Sequence, residues 1–150
     1  MRTDKEVLIF VFRRSENEEQ ILLTHRSPEL GGYWHTVAGG IEDTESDDEA
    51  ALRELREETG LDGRGMLDPR RHFYSYSLTE EPPSRRVTYP PGSEQIFVTC
   101  FRLDSPPGWE PSLNSEHDDF RWCGLEEALS LLRWPTVSKA LVALSGKAHS

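Results

Sequence analysis

The sequence predicts an α/β fold in which helices flank a mixed β-sheet. Strand-like segments precede, separate and follow helical ones, and their order lacks the strict alternation of a doubly wound parallel sheet. A chain of 150 residues is typical of one domain, so we expect a single domain over residues 1–150. The longest apolar run, residues 7–12, is too short to cross a membrane, and no apolar leader segment precedes it, so we expect a cytoplasmic protein.

The first part of the chain predicts a hairpin followed by a short strand. Residues 5–13 and 20–26 are rich in Val, Ile, Leu and Phe, and a polar turn separates them. Residues 33–38 are a third strand candidate, which should end at Gly39-Gly40 because paired glycines permit backbone conformations closed to other residues. A loop is therefore expected after the two glycines.

A helix is predicted over residues 47–59. Ser46 can cap its first turn while Glu49 reaches back in a capping box, and Gly60 is a natural residue to end it. The later segments are assigned from aromatic, β-branched and amphipathic patterns. They are strands at 72–78, 94–103 and 119–123, helices near 125–133 and 137–144, and an irregular loop over 79–93 whose prolines suit a mobile segment near a ligand.

Negative charge is concentrated in one segment of the chain. The whole sequence has a net charge of -10, and residues 42–62 contain ten acidic residues and two arginines, which gives 2 - 10 = -8 for this segment alone. Such a local surplus indicates a cation site, whereas charge spread over the surface would indicate only solubility. It also argues against stable nucleic-acid binding, which needs a basic face.

Glu54, Glu57 and Glu58 are expected on one side of the predicted helix, opposite an apolar stripe, because each helical residue turns by about 100°. In a partly enclosed cleft, carboxylates about 6 Å apart would repel by roughly 3 kcal/mol per pair, which favours a bound cation. Oxygen ligands of this kind suit Mg2+ or Mn2+. From the helix alone, a solvated acidic face is the alternative interpretation.

A longer pattern surrounds these glutamates. Residues 39–61 match every position of G-x5-E-x7-R-E-U-x-E-E-x-G-U, where U is a bulky aliphatic residue. This segment resembles the Nudix box, the signature of the Nudix hydrolases. The resemblance implies the Nudix fold, an α/β/α sandwich with a mixed β-sheet, and hydrolysis of a phosphoanhydride bond in a nucleoside diphosphate linked to another group, with a divalent metal.

The resemblance also implies roles for residues of the box. Glu54 and Glu58 should be the main ligands of Mg2+, or of Mn2+, with Glu57 as a further ligand or as the base that takes the proton of the attacking water. Arg53 should hold Glu57 in place by a charge-assisted hydrogen bond, and Glu45 could bind Arg53. Glu57, Arg53 and Glu54 are therefore the expected catalytic residues.

Other expected site residues lie at the edge of the box or outside it. Gly39 and Gly40 should contact substrate, and the Gly39 carbonyl could join the metal ligands. Glu116 stands in a Ser-Glu-His segment that resembles one in Nudix triphosphate pyrophosphohydrolases, where the glutamate completes the metal site. For His117 a structural hydrogen bond is expected, and Arg26 could clamp a phosphate, with a simple salt bridge as its alternative.

Markers of Nudix subfamilies narrow the expected substrate. The box lacks the preceding cysteine of isopentenyl diphosphate isomerases, and Ser77 stands where an ADP-ribose enzyme has proline. We expect a hydrolase that releases pyrophosphate from a nucleoside or pterin triphosphate. Tyr76 keeps a dinucleoside polyphosphate hydrolase open as an alternative, and a non-catalytic nucleotide-sensing module is a second. The expected partner is a small nucleotide, without a membrane, and a homodimer is left open.

Overall fold

A computed structural model describes residues 1–146 as a seven-stranded mixed sheet with helices on both faces, which confirms the predicted class. The elements in chain order are β1 (Arg2–Ser15), β2 (Glu18–Arg26), β3 (Trp34–His35), β4 (Val37–Glu42), α1 (Asp47–Thr59), β5 (Leu67–Ser77), α2 (Pro83–Arg86), β6 (Gln95–Asp104), β7 (His117–Cys123), α3 (Leu125–Leu131) and α4 (Pro135–Leu144). Within this part of the chain, no helix combines the length and apolar character that a membrane span requires.

The sheet divides along one edge of β1. Strand β6 runs parallel to β1 on one edge, over residues 5–12. The other edge is shared: β4 pairs with residues 6–9 of β1, and β2 pairs with residues 12–15, both antiparallel. Strand β2 then continues away from β1 and pairs with β3 and β7. The ends of β2 and β3 and the start of β7 therefore form one group of residues, beside the group formed by β4 and α1.

Two apolar cores lie on the two faces of the sheet, and β1 contributes to both because successive side chains of a strand point to opposite faces. Residues 7, 9 and 11 are fully buried against the core that contains α1. Residues 8, 10 and 12 pack into the core that contains α3 and α4. The continuous apolar run in β1 thus reflects a strand that is covered on both sides.

Helix α1 begins and ends where the sequence predicts. The Ser46 hydroxyl accepts a hydrogen bond from the Glu49 amide at 3.1 Å, and the Glu49 carboxylate accepts one from the Ser46 amide at 2.9 Å. Gly60 ends the helix with a φ of 80°, a left-handed conformation that glycine adopts without strain. The capping box and the helix bounds are therefore confirmed.

The strand expected at residues 33–38 is wrong in its extent. It is two strands, interrupted at Thr36, whose hydroxyl donates to the Ile9 carbonyl at 2.7 Å. The second strand does not stop at the two glycines: Gly39 pairs with Val7 and Gly40 with Glu6. The diglycine is therefore extended backbone within a sheet, and the loop begins only after Glu42.

The segment 78–93 is more ordered than the prolines suggest. It contains a 3-10 turn at Leu78–Glu80 and the short helix α2. The Arg86 guanidinium donates to the carbonyls of Glu81 at 2.7 Å and Thr79 at 2.9 Å, which closes the segment on itself. Tyr89 is only 5% exposed, so the segment also packs against the body of the protein.

Candidate active site

Two glutamates of α1 are buried where the helix crosses β4. The side chains of Glu54 and Glu58 are 13% and 6% exposed. Gly39 lies so close to the Glu54 carboxyl group that any Cβ there would collide with it. Burial raises the pKa of Glu54, and it raises the pKa of Glu58 well above the ordinary value, assisted by the hydrogen bond and charge repulsion from Glu54. The site therefore contains two facing, buried carboxyl groups.

Glu57 does not share the burial of this pair. Its side chain is 53% exposed, and its Oε2 lies 3.4 Å from Arg53 Nη1. The buried face of α1 contains Ala50 and Glu58 as well as apolar residues, so one of the three glutamates lies on the buried face. A helical periodicity alone could not determine which glutamates β4 would cover.

Arg53 forms a rigid frame behind the buried pair. Its Nε and Nη2 donate to the two oxygens of Glu45 at 2.6 and 2.9 Å, and Nη2 also donates to the Gly40 carbonyl at 3.0 Å. The remaining nitrogen, Nη1, donates to Glu54 at 2.8 Å, a shorter contact than the one with Glu57. The hydrogen bond from Arg53 holds the pKa of Glu45 below its usual value. Arg53 thus makes the expected contact with Glu57, at 3.4 Å, and in addition orients Glu54 at a shorter distance.

Glu116 and Arg26 lie across from the buried pair. Arg26 Nη2 is 3.6 Å from Glu116 Oε2, and the Glu116 side chain is 53% exposed. The Ser27 amide donates to the Glu116 carbonyl at 3.0 Å, which fixes the loop before β7 to the end of β2. The charge of Glu116 contributes to the raised pKa of Glu58, so the structure brings these two predicted residues into one neighbourhood.

Two histidines lie in this same group of strand ends. His117 makes the structural hydrogen bond expected of it, with Nδ1 3.0 Å from Asn114 Oδ1, and its Nε2 is 3.6 Å from Glu58. His35 was missed by sequence reasoning, although its place just before the diglycine was a usable signal. Burial, followed by the positive charge of Arg26, lowers the pKa of His35 to about 4, so its imidazole is neutral.

The acidic side chains near α1 are not all arranged around one point at which a metal ion could bind. Within residues 1–146, no cluster of three or more His, Cys, Asp or Glu side chains is arranged to hold a metal ion. The buried pair supplies oxygens at fixed positions, whereas Glu57 and Glu116 have half-exposed side chains that can rotate. The arrangement therefore offers two fixed carboxyl groups with two movable ones beside them.

Fold and site together define the class of protein, and a comparison with family models agrees. The model described as "NUDIX domain" matches residues 3–144, and the chain belongs to this family. Nudix hydrolases act on phosphoanhydride bonds of nucleotide-type substrates, so the predicted family, fold and enzyme class are confirmed.

Individual relatives place the chain within this family. It is 36% identical over 132 residues to an octanoyltransferase of Myxococcus xanthus, covering 88% of this chain but only 33% of that protein, so the chain spans a third of its length. It is 31% identical to the nucleoside triphosphatase NudI of Klebsiella pneumoniae, covering 75% of this chain and 78% of the relative. The solved E. coli dihydroneopterin triphosphate pyrophosphohydrolase has the same fold, with a TM-score of 0.78, 20% identity and 95% coverage of both chains.

Proposed function

We propose that the chain is a Mg2+-dependent pyrophosphohydrolase that releases pyrophosphate from a nucleoside or pterin triphosphate. The observation that carries this proposal is the buried pair of Glu54 and Glu58 beside Gly39, held by Arg53. Burying two carboxyl groups together is costly unless a proton or a cation compensates them. A polyphosphate substrate arrives with divalent cations, which would provide that compensation.

The donor set fits a divalent metal of the oxygen-preferring kind. Burial raises the pKa of Glu54 and Glu58 even though Arg53 donates to Glu54, so a bound cation would stabilise the ionised pair. Glu54 and Glu58 would hold Mg2+, or Mn2+, with Glu57, Glu116 or the Gly39 carbonyl adding further oxygens. When bound, the metal would neutralise phosphate charge and make water a better nucleophile.

The chain's own residues would orient the substrate and move one proton. Arg53 keeps Glu54 in position, and Arg26 can donate to nonbridging phosphate oxygens. The exposed Oε atoms of Glu57 are available to accept a proton from the attacking water. A new bond then forms between the water oxygen and phosphorus, the anhydride bond breaks, and pyrophosphate leaves with the electron pair of that bond.

We choose a triphosphate substrate over a dinucleoside polyphosphate. The similarity to the nucleoside triphosphatase NudI of Klebsiella pneumoniae supports this choice. For a dinucleoside polyphosphate hydrolase the marker is Tyr76, but its hydroxyl donates to Glu6 at 2.6 Å and also lies 2.9 Å from a Glu81 carboxylate oxygen, so it is engaged within the protein. A nucleotide sensor without activity would not need the complete glutamate set. The Myxococcus octanoyltransferase is three times as long as this chain, so octanoyl transfer does not follow from the similarity.

The test is a pyrophosphate-release and phosphate-release screen with Mg2+ across nucleoside and dihydroneopterin triphosphates, nucleotide sugars, ADP-ribose and dinucleoside polyphosphates. We expect turnover of a triphosphate with release of pyrophosphate, and loss of that turnover in excess chelator. Glu57→Gln should lower kcat by about 10²-fold or more, as removal of a general base typically does. Undiminished hydrolysis in chelator, or normal turnover of the variant, would contradict the proposal.

A further inference from the structure

Aromatic side chains from two distant parts of the chain meet beside the strand ends. Trp134 immediately precedes α4, whereas His35 ends β3 and Tyr33 comes just before that strand. The ring centroids are 5.0 Å apart for Tyr33 and Trp134, 5.4 Å for His35 and Trp134, and 5.9 Å for Tyr33 and His35. We call these three residues the aromatic cluster. Their rings meet edge to face, an arrangement in which aromatic rings attract one another.

The aromatic cluster remains accessible from solvent. Trp134 is 38% exposed, although a side chain of this size gains much from burial. Arg133 lies against the same rings, with its Cζ 5.7 Å from the Tyr33 ring centroid and 5.5 Å from that of Trp134. The indole is thus held by neighbouring rings and by a guanidinium while part of it stays exposed. Such a surface suits another planar group.

Measured contacts connect the aromatic cluster to the buried carboxyl groups of α1. Glu58 Oε1 lies 3.6 Å from His117 Nε2. His117 pairs with Arg26 where β7 and β2 meet in the sheet. The Arg26 amide donates to the Tyr33 carbonyl at 2.9 Å, and its Cζ lies 6.0 Å from the centroid of the Tyr33 ring. Only His117 and Arg26 therefore separate Glu58 from the first ring of the cluster.

Two polar atoms along this path lack a partner. Arg26 Nε and His35 Nδ1 are buried, and neither has a hydrogen-bond partner among residues 1–146. Buried polar atoms are usually paired, so these two favour a bound polar group at the strand ends. Arg26 Nη2 lies 3.6 Å from Glu116 Oε2, which is longer than a hydrogen bond. Since guanidinium groups bind phosphate oxygens strongly, Arg26 suits a phosphate located between the carboxylates and the rings.

The order of groups along this path matches the order of groups in the proposed substrate. Carboxylates suited to a metal come first, an arginine suited to phosphate follows, and aromatic rings come last. A nucleoside or pterin triphosphate likewise has its phosphates at one end and a planar heterocycle at the other. Stacking on aromatic side chains is a common way to bind such rings, because each has a flat π-face.

We propose that Tyr33 and Trp134 bind the planar heterocycle of the triphosphate substrate, which stacks on the exposed part of the Trp134 indole. This inference rests on the proposed function, because it assigns the end of the same substrate that lies away from the phosphates. The aromatic cluster determines affinity for the heterocycle and takes no part in breaking the anhydride bond. Nucleobases and pterins share this chemistry, so the experiment includes both.

The test compares Trp134→Ala, Trp134→Phe and the control Phe73→Ala. Phe73 is also an exposed aromatic residue, at 68%, but it lies on β5, at the opposite edge of the sheet from β3. For the best triphosphate of the screen, Trp134→Ala should raise KM roughly tenfold, as expected for loss of one stacking contact, with kcat changed far less. Trp134→Phe should recover part of the loss because an aromatic face remains. Phe73→Ala should leave KM within about threefold of wild type.

Inorganic tripolyphosphate, which has no heterocycle, separates loss of stacking from general damage to the site. Its affinity with Mg2+ is measured as inhibition of hydrolysis and by calorimetry, and Trp134→Ala should leave that affinity unchanged. An equal loss for tripolyphosphate and for the best triphosphate would overturn the inference, because the residue would then be structural. A KM for Trp134→Ala equal to that of wild type would also overturn it.

The inference can be judged even if no triphosphate is hydrolysed. Nucleoside and dihydroneopterin triphosphates are then intact ligands, and calorimetry with Mg2+ measures their affinities directly. Tighter binding of one of them than of tripolyphosphate, lost in Trp134→Ala but kept in Phe73→Ala, would support the assignment while the proposed reaction fails. If wild type binds every heterocyclic triphosphate no more tightly than tripolyphosphate, the assignment of Tyr33 and Trp134 is wrong.

Discussion

Two groups of carboxylates lie on opposite faces of β4, at neighbouring glycines, and they are compensated in different ways. At Gly40, Glu6 receives a guanidinium and two tyrosine hydroxyls. At Gly39, Glu54 and Glu58 face each other; burial raises the pKa of both, and charge repulsion from Glu54 raises the pKa of Glu58 further. Arg53 lies beside Glu54, but it is also shared with Glu45.

This difference shows how a structural carboxylate can be distinguished from one that awaits a ligand. Burial is common to both groups, so burial alone does not identify a site. A carboxylate whose oxygens are filled by donors of the protein is already stable, whereas facing carboxylates need a cation or a proton. The sequence shows the concentration of negative charge in residues 42–62, whereas it gives no sign that the single carboxylate of Glu6 is buried.

The largest expected effect is a loss of catalysis when Glu58 of the buried pair is replaced. Glu58→Gln should lower kcat/KM by about 10²–10³-fold, because it removes a charge that the metal and the transition state require. In metal-free protein at pH 8, the same substitution should increase the free energy of unfolding, since a buried charge is replaced by a neutral group. Steady-state kinetics and urea unfolding in chelator measure the two effects.

For Glu58→Gln, kcat/KM should fall while the free energy of unfolding of the metal-free protein rises. Loss of activity together with loss of stability in the metal-free protein would mean that Glu58 is a structural residue like Glu6. In that case the contrast between the two faces of β4 would disappear.

A smaller effect is expected when Glu6 is replaced, and it should fall on stability and not on catalysis. Glu6→Gln should lower the free energy of unfolding by about 2 kcal/mol, because charge-assisted hydrogen bonds from Arg2, Tyr76 and Tyr89 are weakened. Its kcat should stay close to that of wild type, while KM can rise if segment 78–93 loosens. Equilibrium unfolding and kinetics of this variant serve as the matched control for Glu58→Gln. A large decrease in kcat would instead show that Glu6 takes part in the chemistry.

The smallest effect concerns the pH dependence of stability in metal-free protein. The pKa of Glu58 is raised on folding, so its contribution is fully present below its unfolded value near 4.5 and is lost as pH rises through the raised folded pKa. His35 acts in the other direction: its pKa falls from 6.5 to about 4, so its contribution is lost as pH falls through that window.

Subtracting the stability of Glu58→Gln from that of wild type at each pH isolates the glutamate from the histidine. The free energy of unfolding of wild type relative to the variant should be highest at acidic pH and should decrease as pH rises above 4.5. A difference that does not change with pH would mean that Glu58 is already ionised at low cost in the folded protein.

The sequence predicted α1 in full because its determinants are local. Ser46, Glu49 and Gly60 lie within one helix and its caps, and the box pattern covers the same residues. The break at Thr36 was not predictable, because it depends on a hydrogen bond to Ile9 in another strand. The division between buried Glu58 and exposed Glu57 likewise depends on how β4 crosses the helix, which the helical period does not specify.

The contacts of Glu6 with Tyr76 and Tyr89 could not be predicted from the sequence, for the same physical reason. Glu6 contacts Tyr76 and Tyr89 across 70 and 83 residues of chain, so no local pattern connects them.

The most direct test of the account is calorimetric titration of the substrate-free protein with Mn2+ as a stand-in for Mg2+. Wild type and Glu6→Gln should bind Mn2+ alike, whereas a variant that combines Glu54→Gln with Glu58→Gln should show no measurable binding at the same concentrations. Equal binding by the double variant and wild type would contradict the claim that the facing pair beside Gly39 is the metal site.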